Sequence, residues 1–231
     1  MVFLIPFILI FPLFWITIQN KRWKHYGYDL TYLWSAIFFR ISTIKFEIQG
    51  KENVPKDGLH IFCPNHSSYL DIATMVRSGF RFSFVGKSSM EKLPFFGYMY
   101  KNLHVTVDRK NLKSRYKTII KSREVLEKGM SLTIFPEGGI NSKTLPGLAS
   151  FKDGAFRLAI EKQIPIVPVT IPYNWIILAD NGKFDVDTSR HKSKIIVHTP
   201  IDTNGMNEKD IETLKQNTFK VIEAELETQN Q

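Results

Sequence analysis

Residues 63–71 read CPNHSSYLD, which sets His66 and Asp71 five positions apart directly after an apolar run. Five positions along a continuous α-helix lie about 140° apart around its axis, so the two side chains cannot meet on one helix. They meet if His66 occupies the turn before a helix and Asp71 its first turn, with Ser67 or Ser68 as the N-cap. A histidine paired with a carboxylate is held in one tautomer, and its free nitrogen can accept a proton near neutral pH. A capping reading competes, because Ser68-Tyr69-Leu70-Asp71 fits the Ser-x-x-acid pattern in which the acid closes back on the helix start. Capping accounts for Asp71 and leaves Asn65 and His66 without a purpose.

A base at His66 needs something to activate. The chain has no G-x-S-x-G elbow, and Ser67 and Ser68 are better used as caps than as nucleophiles. A dyad without its own nucleophile can deprotonate a hydroxyl on a bound substrate. A thioester is then a suitable electrophile, since its thiolate leaves easily. That is a transferase design. Arg109 follows the run LHVTVD and can grip a phosphate through two parallel hydrogen bonds, with a surface pair to Asp108 as the alternative. In FPEGG, Pro136 stops a strand and Glu137 projects from the turn, either to hydrogen-bond acceptor hydroxyls or only as a turn carboxylate. Gly138 and Gly139 there let backbone N–H groups approach a ligand. Lys152 in FKDGAF is a second candidate cation for a phosphate, with a solvated lysine as the alternative. His60 and His104 fall inside strand-like runs and read as packed or edge residues.

The elements that must position these groups alternate from residue 57 onward. LHIFC (59–63), FSFVG (82–86), LHVTV (103–107), SLTIF (131–135), PIVPVTI (165–171) and KIIVH (194–198) are predicted strands. Residues 70–78, 114–128, 153–162 and 208–226 are predicted helices. The alternation predicts an α/β domain with a mostly parallel central sheet flanked by helices. In such sheets ligands collect at the carboxyl ends of strands, which is where the NHSSYLD, VDRK and FPEGGIN groups fall.

Composition narrows the partners. The chain has 231 residues, 43% of them apolar, which suits one sizeable domain, or one domain with an appendage. Its single cysteine, Cys63, rules out an intrachain disulfide, and the absence of a Cys/His cluster argues against a zinc site. Residues 81–128 hold 12 Lys and Arg against 4 Asp and Glu, whereas residues 129–231 hold 11 against 13. A basic stretch of this kind suits a polyanion or an anionic lipid surface, and also a plainly solvated helix face. No zinc finger, RNP signature or basic heptad region points to nucleic acid. The N-terminus favours lipid: MVFLIPFILIFPLFWITI is uncharged, with 15 apolar residues in 18. As a helix it would be about 27 Å long, near the hydrocarbon thickness of a bilayer. Lys21, Arg22 and Lys24 follow among Trp23, Tyr26 and Tyr28, the pattern of a cytoplasmic headgroup layer. Residues 1–46 therefore read as a membrane anchor, one span or a re-entrant helix plus an interfacial helix. Residues 47–231 read as the catalytic domain.

The order N-H-x-x-x-x-D at 65–71, VDR at 107–109, FPEG at 135–138 and IPIVPV at 164–169 resembles the 1-acyl-sn-glycerol-3-phosphate acyltransferase family. GKSSMEKLPFFG at 86–97 and FKDGAF at 151–156 are similar to that family too. The resemblance implies that His66 is the general base, Asp71 its orienting partner, and Arg109 a contact to the acceptor phosphate. It places Glu137, Gly138 and Gly139 at the acceptor site, and Asn65, Lys87 and Lys152 complete the expected substrate-binding set. Where the family continues Thr-Arg-Ser after FPEG, this chain has Gly139-Ile140-Asn141, so a cation is missing. Lys143, Lys152 or Lys87 would replace it, or the acceptor carries a different head. The implied reaction moves a fatty acyl group from acyl-CoA or acyl-carrier protein to the 2-hydroxyl of lysophosphatidic acid, giving phosphatidic acid at the cytoplasmic face of a bacterial-type membrane. It involves no cofactor, no metal and no nucleic acid. Alternatives are a lyso-aminolipid or glycerol-3-phosphate acceptor, and a non-catalytic lipid-binding protein on the same scaffold.

Overall fold

Strands buried on both faces send successive side chains into opposite layers, and the apolar runs here do so. Ile61 and Cys63 join one core cluster while Phe62, between them, joins another. Ile166 and Leu132 face the first layer; Val167, Val169, Phe82 and Phe84 face the second. The computed structural model describes residues 4–20, 22–108, 111–179 and 192–229. Its strands are β1 (Phe46–Gln49), β2 (Ile61–Pro64), β3 (Phe82–Lys87), β4 (Val105–Val107), β5 (Ser131–Ile134), β6 (Ile166–Thr170) and β7 (Ser193–Val197). They form one sheet in the order β1-β7-β6-β2-β5-β3-β4. All neighbours are parallel except β6 and β7, so the β1–β7 pair runs against the other five strands. The expected mostly parallel α/β architecture is the one observed.

The helices are α1 (Leu4–Gln19), α2 (Tyr26–Ile41), α3 (Leu70–Arg77), α4 (Phe96–Leu103), α5 (Leu112–Glu127), α6 (Gly154–Lys162), α7 (Asn174–Ile177) and α8 (Ile211–Gln229). Helices α6 and α8 pack Phe156, Ala159, Leu214 and Ile222 against the first layer, with Leu126 of α5 beside them. Met75 and Val76 of α3 pack against the second. Sequence periodicity missed α4 and assigned Leu103 and His104 to a strand. Phe96, Met99, Tyr100 and Leu103 are all buried at helical spacing, so Leu103 closes the helix and β4 begins only at Val105.

Helices α1 and α2 do not stand apart from the domain. Phe7, Ile10 and Phe14 of α1 form a buried stripe that packs with Trp34, Phe38 and Phe39 of α2, Phe96 and Met99 of α4, and Leu70 of α3. The remaining face of α1 carries Ile8, Leu9, Leu13, Trp15 and Ile16 outward, with Leu9 73% exposed. The patch continues into the loop before α4, where exposed Phe95 stacks edge-on against Phe11 at 5.0 Å. No helix among the described residues is long and apolar enough to cross a membrane.

The first layer depends on Phe156, fully buried between Phe151 and the sheet. Phe156→Ala is expected to lower the unfolding free energy by about 3–5 kcal/mol, read as a lower midpoint in urea with an unchanged slope.

Candidate active site

The sheet order sets the carboxyl ends of β6, β2, β5 and β3 side by side, and the loops that leave them build one site. The loop after β2 carries His66 into the turn before α3. His66 Nδ1 lies 2.9 Å from Asp71 Oδ2. The same oxygen accepts the backbone N–H groups of Ser67 and Ser68, each at 2.8 Å. Capping and pairing were therefore not alternatives: Asp71 closes the helix start and holds the histidine with one oxygen. Its Oδ1 accepts from Asn174 Nδ2 at 2.9 Å. Asp71 is 0% exposed, with four donors around it and no acceptor. That set complements an ionised carboxylate, which offers about four lone-pair positions. Because Asp71 can only accept, Nδ1 carries the proton and the lone pair of Nε2 is free. The imidazole stacks on Phe135 at 4.0 Å between centroids, which fixes its plane.

Nε2 has no hydrogen-bond partner among the described residues, and the ring borders a cavity of about 310 Å³. One wall is apolar, from Phe84, Val85, Met90 and Phe135; Lys87, Ser89 and Asn141 bring polar groups to it. Tyr100 closes one side, its hydroxyl occupying the space that a Cβ on Gly86 would need. Gly139 and Ile140 also line it.

Several expected substrate contacts have other tasks. Asn65 is buried, and its amide clamps the backbone of Ile171 after β6: Oδ1 accepts from Ile171 N at 2.7 Å and Nδ2 donates to Ile171 O at 3.1 Å. Glu137 is 1% exposed and turns inward. Its Oε1 accepts the His66 backbone N–H at 2.7 Å and its Oε2 that of Ala149 at 2.8 Å. A turn carboxylate set against two unpaired backbone donors is consumed by them, so Glu137 holds the histidine loop instead of facing acceptor hydroxyls. Burial pushes its carboxyl up to about 7, against the pull of the Ala149 and His66 N–H groups. Gly138, at φ 77°, makes the turn that sends Glu137 inward, and its N–H donates to Phe135 O at 3.0 Å. Asn141, in the place where the family has Ser, donates to Glu137 O at 3.0 Å and tightens the same turn.

Of the expected cations, Lys87 lines the cavity, whereas exposed Lys152 flanks the far side of the turn, its backbone N–H bonded to Pro136 O. Arg109 lies outside the described residues, as does Lys21. His60 is buried just before β2. Burial drives His104 down to about 3, and its Nδ1 accepts the Phe84 N–H, a packing role as expected. No group of three or more His, Cys, Asp or Glu among the described residues is arranged to hold a metal. Sequence reasoning missed Asn174 and Phe135. The stacking partner was legible in principle, as the apolar residue ending a strand beside the His-bearing one. Asn174 had no local signal, since its contact spans 103 positions.

The fold is thus a three-layered α/β sheet with a His–Asp pair at the strand ends and a half-apolar cavity beside it. Residues 45–172 match the family model described as Acyltransferase. The chain is 30% identical to the 1-acyl-sn-glycerol-3-phosphate acyltransferase of Haemophilus influenzae, over 78% of this chain and 75% of that protein. It is 29% identical to the chloroplastic LPAT1 enzyme of Arabidopsis thaliana over 85% of its own length and 52% of the plant protein, so it spans about half the length of the chloroplastic relatives. The crystal structure of the PlsC acyltransferase from Thermotoga maritima superimposes with a TM-score of 0.78 at 20% identity, covering 99% of this chain and 95% of that one. The chain belongs to the 1-acyl-sn-glycerol-3-phosphate acyltransferase family.

The raised Glu137 carboxyl has a stability consequence with a definite sign. Its folded value, about 7, exceeds the ordinary 4.5, so its contribution is fully present below pH 4.5 and is lost as pH rises through 7. Wild type is expected to lose stability relative to Glu137→Gln across that window, which paired thermal melts at pH 4.5 to 7.5 would show.

Proposed function

We propose that the protein transfers a fatty acyl group from a thioester donor, acyl-CoA or acyl-carrier protein, to the 2-hydroxyl of lysophosphatidic acid. The observation that carries this reading is a histidine with Nδ1 locked and Nε2 open on a half-apolar cavity, with no serine or cysteine side chain hydrogen-bonded to Nε2 among the described residues. Ser68 Oγ is spent on Leu178 O at 2.6 Å. Ser67 is buried, and Cys63 is fully buried with its thiol pushed well up. The dyad is therefore left to act on a hydroxyl that arrives with the substrate. Nε2 takes that proton while the oxygen attacks the thioester carbonyl. The tetrahedral intermediate then expels the thiolate, which recovers the proton from His66.

The N–H groups at the helix start are already used and are not free for the oxyanion: those of Ser67 and Ser68 by Asp71, and that of Leu70 by Ser68 Oγ. The Gly139–Ile140 lining of the cavity is the better place for such donors. Lys87 takes the acceptor phosphate and fills the place of the cation missing after FPEG. The apolar wall of the cavity receives acyl chain.

Lipid reaches the site from the α1 side. Met90 lines the cavity and also packs into the cluster formed by α1, α2 and α4, whose outer face is the exposed apolar patch. In this reading α1 lies in the interface of the cytoplasmic leaflet with Leu9, Leu13 and Trp15 among the acyl chains, as an interfacial anchor does.

His66→Ala should reduce thiol release from acyl-CoA in the presence of lysophosphatidic acid by about 10²–10⁴-fold while vesicle binding persists; wild-type turnover would refute the assignment. Lyso-aminolipid and glycerol-3-phosphate run beside lysophosphatidic acid identify the acceptor, and a preference for either would replace the head group proposed here. A Leu9→Glu, Leu13→Glu double variant should keep its fold and lose co-sedimentation with vesicles containing phosphatidylglycerol.

A further inference from the structure

The loop that carries the dyad is seated on one short segment. Residues 171–178 meet the 65–71 loop at three places: the Asn65 clamp on Ile171, the bond from Ser68 Oγ to Leu178 O, and the bond from Asn174 Nδ2 to Asp71 Oδ1 at 2.9 Å. Only the last reaches the dyad. Asn174 opens α7 and is fully buried.

Its orientation is set by its neighbours. Nδ2 also donates to Thr74 Oγ1 at 2.8 Å, and Thr74 gives its own hydroxyl proton to Leu70 O at 2.9 Å, so Thr74 can only accept. A flipped amide would press its oxygen against the Asp71 carboxylate and that Thr74 oxygen. In the orientation adopted, Asn174 Oδ1 is buried with no hydrogen-bond partner among the described residues. An unpartnered buried carbonyl lowers stability, and packing alone gives no reason to keep one. The compensating gain is the N–H directed at Asp71.

We infer that Asn174 is a positioning residue for acyl transfer. Its amide holds Asp71 from the side away from the histidine, so that Oδ2 stays in line with Nδ1 and Nε2 stays aimed into the cavity. The titratable groups around this carboxylate are His66 and Glu137, the latter close enough to interact electrostatically with it. Asn174 is the neutral donor among them. The inference rests on the reading of His66 as general base.

The test uses thiol release from acyl-CoA with lysophosphatidic acid on vesicles. Asn174→Ala should lose tenfold or more in kcat with KM held within about twofold. The acid limb of its kcat/KM profile should move to higher pH, because loss of the N–H dipole lets the dyad hold its proton more tightly. Asn174→Asp, equal in shape but with an acceptor in place of the donor, should move that limb further. Ser193→Ala, which loses a bond to Thr74 one step removed from Asp71, should keep kcat within about twofold. Wild-type kcat in Asn174→Ala, or a loss that tracks a lower melting temperature while the acid limb stays fixed, overturns the inference. If Asn174→Ala does not fold, the limb of Asn174→Asp decides, and misfolding of both variants marks a purely structural role. A wild type that releases no thiol overturns the general-base reading instead. An active wild type, an inactive His66→Ala and an unimpaired Asn174→Ala overturn only the role of Asn174.

Discussion

A carboxylate with no exposure to water is costly to bury, and the site is organised around making Asp71 affordable. Four N–H groups converge on it, three on Oδ2 and one on Oδ1: two from the backbone just before α3, one from the imidazole and one from a buried amide. Removing any one of these would leave part of a buried charge unsatisfied, a deficit that neighbouring side chains cannot supply from solvent. This requirement suits the two small serines in the turn before α3, whose N–H groups converge on one oxygen. It also explains why α7 is pinned to a loop far away in sequence. The alignment of His66 with Asp71 is a by-product of satisfying a buried charge.

Glu137 applies the same physics at the histidine's backbone. His66 is thereby tied through its ring to the α3 start and through its N–H to the turn after β5. The two ties come from neighbouring strands, and Asn65 adds a third link to the strand on the other side. Three adjacent strand ends are stitched together by side chains whose names suggest substrate recognition.

Local patterns reached much of this. The runs LHIFC, FSFVG, SLTIF and PIVPVTI became β2, β3, β5 and β6 to within two residues at either end, because continuous apolar runs of that length mark strands buried on both faces. The His66–Asp71 contact was also legible, since geometry allows it only across a helix start. Sequence did not show the use of Asn65, and for Glu137 it left two readings open, of which the turn carboxylate is the one observed. Residue type shows that a polar group is available, whereas its direction depends on which backbone donors and acceptors are left over when the strands assemble. Those leftovers belong to Ile171, Ala149 and the histidine turn, and no window of sequence contains them together. The 1–46 segment was similarly ambiguous: its hydropathy is the same whether Phe7 and Phe14 face lipid or, as observed, Trp34 and Phe96.

The ring stacked on Phe135 and tethered at both ends has one further implication. In the proposed reaction the base is preorganised before any ligand arrives, so the intrinsic binding energy of a long acyl tail need not be diverted into assembling the machinery. That energy remains available for bringing two partners into register, the alcohol oxygen against the thioester carbon, which is the entropic part of a bimolecular reaction that a rigid host is best suited to remove.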